Sequence, residues 1–102
     1  ESIALPSVDK GKTHVWHLFV IQHENRDGLA SFLQENGVQT VVNYPVALPF
    51  LTAYERFGHT PAHFPNAHFN QSRILSLPIF PEIEDDQVAY VCKLISEYCA
   101  KI

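Results

Sequence analysis

Hydrophobic positions along the chain change period from one stretch to the next, and each change marks an element. Thr13 to His23 is dense in strand-favouring residues, with Val15, His17, Phe19 and Ile21 on one face and His14, Trp16, Leu18 and Val20 on the other. Both faces are apolar, so the pattern predicts a strand covered on both sides, with one cover supplied by another domain or subunit. Asn25 to Asn36 has helical spacing, with Leu29, Phe32 and Leu33 at i, i+3, i+4. Asn25 suits its N-cap and Gly37 its left-handed C-terminal stop, while Gly28 weakens it by about 1 kcal/mol relative to alanine. Val38 to Tyr44 predicts a second strand, ended by Pro45.

The second half is punctuated by prolines. Pro49 suits the first turn of a helix to Phe57, closed by Gly58, with Phe50, Leu51, Tyr54 and Phe57 as its buried face. His59 to His63 is a loop, and Pro65 opens a helix running to about Leu75. Ser76-Leu77-Pro78-Ile79-Phe80-Pro81 is apolar but barred from a helix, so it predicts a short edge strand or a buried extended segment. From Glu84 onward the helical signal is strongest. Glu84 and Gln87 stand at capping-box spacing, and Asp85 and Asp86 complement the positive helix end. Val88, Val91, Cys92, Ile95 and Cys99 form its predicted packing stripe.

The order β-α-β-α-α-(β)-α lacks the repeated βαβ units of a doubly wound sheet. It predicts an α+β two-layer sandwich, a small, largely antiparallel sheet packed by about four helices. Residues 1–12, broken by Pro6 and Gly11, read as a linker or irregular N-terminal segment, and residues 13–102 as the domain. At 102 residues and 46% hydrophobic content a single core is expected. The net charge of −4 and the absence of a basic cluster argue against a nucleic-acid partner. No apolar run approaches the roughly 20 residues of a membrane span. Cys92 and Cys99, seven apart on one helix, are separated by roughly 10 Å, too far to bridge each other. They read as small core residues of a protein kept in a reducing, cytoplasmic compartment.

Candidate chemistry is sparse. Six histidines invite a metal reading, but His14 and His17 point to opposite faces of a strand, and His59, His63 and His68 have no companion motif. Surface or hydrogen-bonded histidines are the expectation, and no metal. A Schiff-base cofactor needs a lysine in an apolar pocket. Lys10 and Lys12 lie in the leading segment, and Lys93 and Lys101 on the outer face or end of the last helix.

Several motifs occur in an order that resembles a known family. They are His14-Val15-Trp16-His17-Leu18-Phe19-Val20-Ile21, Asn25-Arg26-Asp27, Glu35-Asn36-Gly37-Val38, Asn43-Tyr44-Pro45 and Ala53-Tyr54. Phe64-Pro65-Asn66-Ala67, Ile74-Leu75-Ser76-Leu77-Pro78 and Phe80-Pro81-Glu82 follow. Together they resemble the C-terminal small domain of the DegT/DnrJ/EryC1/StrS family, mostly sugar-nucleotide aminotransferases dependent on pyridoxal phosphate. The family's usual His-Tyr-Pro is here Asn43-Tyr44-Pro45, which replaces a charge-assisted contact by a neutral one. Pro49 stands where many members have a second histidine. These variants resemble members that aminate the 3-position of keto-deoxy sugars.

The resemblance implies a domain that packs on a large pyridoxal-phosphate-binding domain and lines the sugar-nucleotide site, within a parent that is a homodimer. It points to Asn43 and Tyr44 as substrate-binding residues, with Trp16 as a further candidate, and leaves cofactor-binding and catalytic residues to the large domain. Alone, such a chain is expected to be inactive. Two alternatives stay open: a stand-alone, non-catalytic binding module of the same fold, and a separate small enzyme using histidine acid–base chemistry. A long upstream coding segment with a Schiff-base lysine would favour the aminotransferase reading, and an immediate start codon the module.

Overall fold

The computed structural model describes residues 3–101. Its architecture is the expected α+β one, built on two antiparallel strands, β1 (Phe19–Gln22) and β2 (Ile74–Leu77). The register pairs Phe19 with Leu77 and Ile21 with Leu75. One face of this ladder meets α1 (Arg26–Glu35) and α3 (Asp85–Ala100), which also pack on each other. Ile21 and Leu75, directly opposite each other, have no exposure at all, and neither do Leu29 and Leu33 of α1. Val38 and Leu94 complete the buried core. α2 (Pro65–Gln71) leads directly into β2.

Two further segments extend the sheet by one bridge each. Ala4 exchanges both backbone hydrogen bonds with Gln22 at 3.0 Å, and Val41 exchanges both with Ser76. β2 is therefore paired on both sides, and is not the edge strand that its prolines predict.

The strand expected over Thr13–His23 is confined to Phe19–Gln22. The register explains this. Leu18 would fall opposite Pro78 in a non-hydrogen-bonded pair, so the next ladder bonds would need His17 opposite Ile79. Trp16 also has φ 51°, which turns the chain away from an extended path. The second strand expected over Val38–Tyr44 shrinks to the Val41 bridge for a related reason. Hydrogen-bonded pairs in an antiparallel ladder recur every second residue. On one side the next partner is again Pro78. On the other it is Ile74, whose carbonyl accepts instead from Arg26 Nη1 at 3.0 Å.

The helix expected from Pro49 to Phe57 is two 3₁₀ turns, Leu48–Phe50 and Thr52–Phe57, separated by an extended Leu51. Short helices persist only where a face is packed. Here Phe50 and Leu51 are half-buried, while Tyr54 and Phe57, both expected in a core, are exposed. Gly58 does close the second turn in the left-handed region. The helix expected to reach Leu75 stops at Gln71, because Ile74 and Leu75 belong to β2.

The caps follow the sequence. Asn25 Oδ1 accepts from the Gly28 N–H at 3.1 Å, and the Glu84/Gln87 capping box is closed in both directions. A Cβ at Gly28 would stand 2.4 Å from Tyr98 Oη and 2.5 Å from Asn25 Nδ2. The glycine that weakens α1 by propensity is what lets its cap meet α3.

The packing stripe of α3 is Val91, Leu94, Ile95 and Tyr98. Val88 and Cys92 are exposed and Cys99 is half-buried, so the stripe is rotated from the expected one and Cys92 is not a core residue. Apolar residues lie almost all round this helix, and periodicity alone could not choose between adjacent stripes. The choice is made by Tyr98, whose hydroxyl accepts from Asn25 Nδ2 at 3.0 Å and whose ring stands edge-on to His23. Among the described residues no helix is long and apolar enough to cross a membrane.

Truncating Leu94 to alanine is expected to cost about 2–5 kcal/mol, as for other buried leucines. Cys92→Ser is expected to stay within about 0.5 kcal/mol. Chemical denaturation of the two variants checks both values.

Candidate functional site

Two clefts meet at Asn43. The first, about 830 Å³, lies between the C-terminal end of β2, the Val38–Val41 segment and the start of α3. His17, Val41, Leu77, Ile79, Phe80 and Tyr90 contribute to its wall. The second, about 630 Å³, is enclosed by the Tyr44–Leu48 turn and by α2, with Leu51 and Ile74 at its side. Asn43 lines both.

The fold holds this junction through β2 and α2. Val41 is fixed to Ser76 by paired backbone bonds of 2.7 and 3.1 Å. Two residues on, Asn43 lies over the sheet face opposite the core, and its Oδ1 accepts from Ser76 Oγ at 2.9 Å. The chain then turns through Tyr44 and Pro45, with a cis Asn43–Tyr44 peptide. The far side of the turn is tied down where the Ala47 N–H donates to Gln71 Oε1 at 2.8 Å. Arg26 braces that corner in turn. Its guanidinium is buried, pairs with Asp27, and donates to the Ile74 carbonyl.

The three candidate residues are not all brought together. Asn43 is half-buried at the junction of both clefts. Tyr44 lines the second cleft with its side chain largely in solvent, the residue being 72% exposed. Trp16 lines neither cleft. Its ring stacks on His14 at a centroid separation of 4.2 Å and tilts against Phe19 at 5.2 Å. Nor does it join the core cluster.

Ser76 and Gln71, which hold Asn43 and the following turn, were not legible as site residues. Ser76 left one signal, a single polar side chain inside the apolar run Ile74-Leu75-Ser76-Leu77. Buried at 5% exposure, its hydroxyl needs a partner, and that partner is Asn43.

Pyridoxal phosphate, which the family resemblance implies, requires a lysine that faces a pocket. This chain's lysines do not fit that task. Lys12 is paired with Asp9, Lys93 lies 3.8 Å from Glu97, and Lys101 stands over the Phe32 ring. Lys10 is exposed, and no lysine lines either cleft. Among the described residues no three His, Cys, Asp or Glu side chains converge on a common point.

Comparison with known proteins places this geometry. Residues 1–96 match the DegT/DnrJ/EryC1/StrS aminotransferase family. The chain belongs to that family.

It is 34% identical over 94% of its length to a pleiotropic regulatory protein of Geobacillus stearothermophilus, covering 26% of that protein. It is 33% identical, also over 94% of its length, to the dTDP-3-amino-3,6-dideoxy-alpha-D-galactopyranose transaminase of Aneurinibacillus thermoaerophilus, again covering 26%. Among solved structures it superimposes on Streptomyces venezuelae DesV, determined in complex with a ketimine intermediate. The TM-score is 0.90 at 34% identity, over 96% of this chain and 26% of DesV. The chain thus spans about a quarter of the length of the family members it matches.

Incubation of the chain with pyridoxal phosphate followed by borohydride is expected to give no stoichiometric adduct at a single lysine. Peptide mass mapping checks this, and one fully modified lysine would overturn it.

Proposed function

We propose that this chain is the C-terminal domain of a pyridoxal-phosphate-dependent aminotransferase that transfers an amino group to a keto-sugar nucleotide, and that it lines the substrate site. The observation that carries the reading is the match over nearly the whole chain to about a quarter of the Aneurinibacillus sugar transaminase, with superposition on a like share of DesV at a TM-score of 0.90. The lysine arrangement supports the same division of labour. The cofactor, which supplies the electron sink for amino transfer, belongs to the larger part of the enzyme, and this chain alone is inactive. The exposed apolar side chains of Val15, Val41, Tyr44 and Leu48 support a surface made to pack on that larger domain. A homodimeric parent in a cytoplasmic setting completes the reading.

Asn43 and Tyr44 are assigned to substrate. They stand on a turn fixed at both ends by hydrogen bonds, which suits a group that must hold its ligand in one geometry. An amide and a phenol can bond sugar hydroxyls or phosphate oxygens, and an aromatic face can cover a sugar ring. Trp16 is the weakest of the three assignments, since its ring already stacks on His14. The 3-amino product in the name of the Aneurinibacillus relative supports amination at the sugar 3-position. A second reading, a non-catalytic module of the same fold, draws on the relative named as a regulatory protein.

In the complete protein, Tyr44→Ala is expected to lower kcat/KM for the keto-sugar about tenfold or more, the equivalent of ~1.4 kcal/mol of transition-state contact. The half-reaction with the amino donor alone is expected to change far less. Equal losses in both half-reactions, with cofactor released, would make Tyr44 a folding residue and overturn its assignment. Absence of any amino transfer by the wild-type protein would favour the module.

A further inference from the structure

The Ser76 hydroxyl has a proton to place as well as lone pairs to offer. The residue is 5% exposed, and its backbone N–H and C=O are both committed to Val41. Among the described residues its hydroxyl donates to Asn43 Oδ1. An amide flipped end for end would turn an NH₂ group toward that hydroxyl. The Ser76 oxygen could accept from it, but the hydroxyl proton would then lose its one acceptor among the described residues and a buried donor would be left unsatisfied. The flip is therefore unfavourable, and the Asn43 carbonyl is held inward. Its NH₂ group makes no hydrogen bond to the described residues, and it is not a buried, unpartnered atom. It is left as a pair of donors at the junction of the two clefts.

The surroundings of those donors decide what they can take. Asp86 is the only residue with a carboxylate, ammonium or guanidinium group among the described residues lining the first cleft, and the second has none. A diphosphate calls for arginine, lysine or a metal ion. Neither cleft is lined by an arginine or lysine, the one imidazole at the first is that of His17, and Asp86 repels an anion. Apolar walls with a fixed neutral donor suit instead an uncharged ring bearing hydroxyl and carbonyl oxygens.

We propose that Ser76 is a positioning residue that fixes the polarity of Asn43, so that this face takes the neutral sugar ring of the nucleotide sugar through an oxygen acceptor, and not its diphosphate. The inference rests on the assignment of Asn43 to the substrate site made above. It adds the part of the substrate that is read, the polarity of the contact and the residue that sets it.

The test uses the complete aminotransferase with its cofactor, titrated calorimetrically with dTDP, UDP, dTDP-glucose and UDP-N-acetylglucosamine. Asn43→Asp keeps the acceptor for Ser76 and replaces the outward donors by a carboxylate oxygen. It is expected to weaken the sugar-bearing probe about tenfold or more beyond what its added charge costs the matching bare nucleotide, and the uncharged Asn43→Ala to weaken the sugar-bearing probe while the bare nucleotide stays within about twofold. Ser76→Ala frees the amide to turn and is expected to weaken the same probe about threefold, and Ser76→Thr, which keeps the hydroxyl, to restore it. If Ser76→Ala does not fold, Ser76→Cys, with a much weaker donor at similar volume, replaces it with the same expectation. Equal losses for bare nucleotide and nucleotide sugar would place Asn43 on the diphosphate and overturn the proposal. Strong loss in Asn43→Asp with Ser76→Ala unchanged would overturn the role of Ser76 alone. If Asn43→Asp and Asn43→Ala change no probe, Asn43 lies outside the site, and the substrate assignment itself fails. Wild-type protein that binds none of the four probes would overturn the sugar-nucleotide reading.

Discussion

The four-residue strand Ile74–Leu77 is paired on both of its edges, and most of the chain is organised by that double pairing. On one edge Leu75 and Leu77 face Ile21 and Phe19. On the other, Ser76 exchanges both of its backbone bonds with Val41. Because side chains alternate along a strand, the same four residues serve two purposes. Leu75 points into the core beneath α1 and α3, while Ser76 points to the opposite face and secures Asn43. Pro78 ends pairing on the Val41 edge, and Trp16, with φ 51°, turns the chain away before β1, which keeps the sheet small.

That arrangement couples stability to the candidate site. The helix-facing side is a dry cluster in which Ile21, Leu29, Leu33 and Leu75 have no exposure. The other side carries few buried groups and depends on polar ties. Ser76 bonds to Asn43, Gln71 to Ala47, and Arg26 to the carbonyl of Ile74. The first two reach the turn over residues 43–47, and the third joins α1 to the start of β2. The turn is thereby held without a hydrophobic core of its own, and two clefts stay open beside it.

The balance of buried and exposed apolar groups is unusual for so short a chain. Among the described residues six form the buried core, whereas sixteen large hydrophobic side chains are exposed. Scattered apolar residues on a surface are ordinary, but Val15 is 91% exposed, and Val41, Tyr44, Val46 and Leu48 lie exposed within one short segment. The chain's coverage of about a quarter of its relatives accords with these faces meeting other parts of a larger protein.

The sequence by itself determined what local chemistry controls. Asn25 caps α1, Gly37 and Gly58 adopt positive φ, and Glu84 with Gln87 closes the start of α3, because each depends on residues a few positions away. The α+β class and the family were legible for the same reason, as ordered local motifs. Asn43 and Tyr44 were legible only through the family motif. Tertiary structure decided where β pairing stops, because a strand's length depends on which residue lies opposite, and the Val41 segment meets Pro78 as its next bonding partner on β2. It also chose Leu94 over Cys92 for the buried face of α3, since a helix apolar nearly all round is oriented by its partner, here Asn25, His23 and Phe32 meeting Tyr98. And it joined Ser76 to Asn43 across 33 positions, a hydrogen bond that no spacing rule contains, because only the folded sheet brings the two side chains to one face.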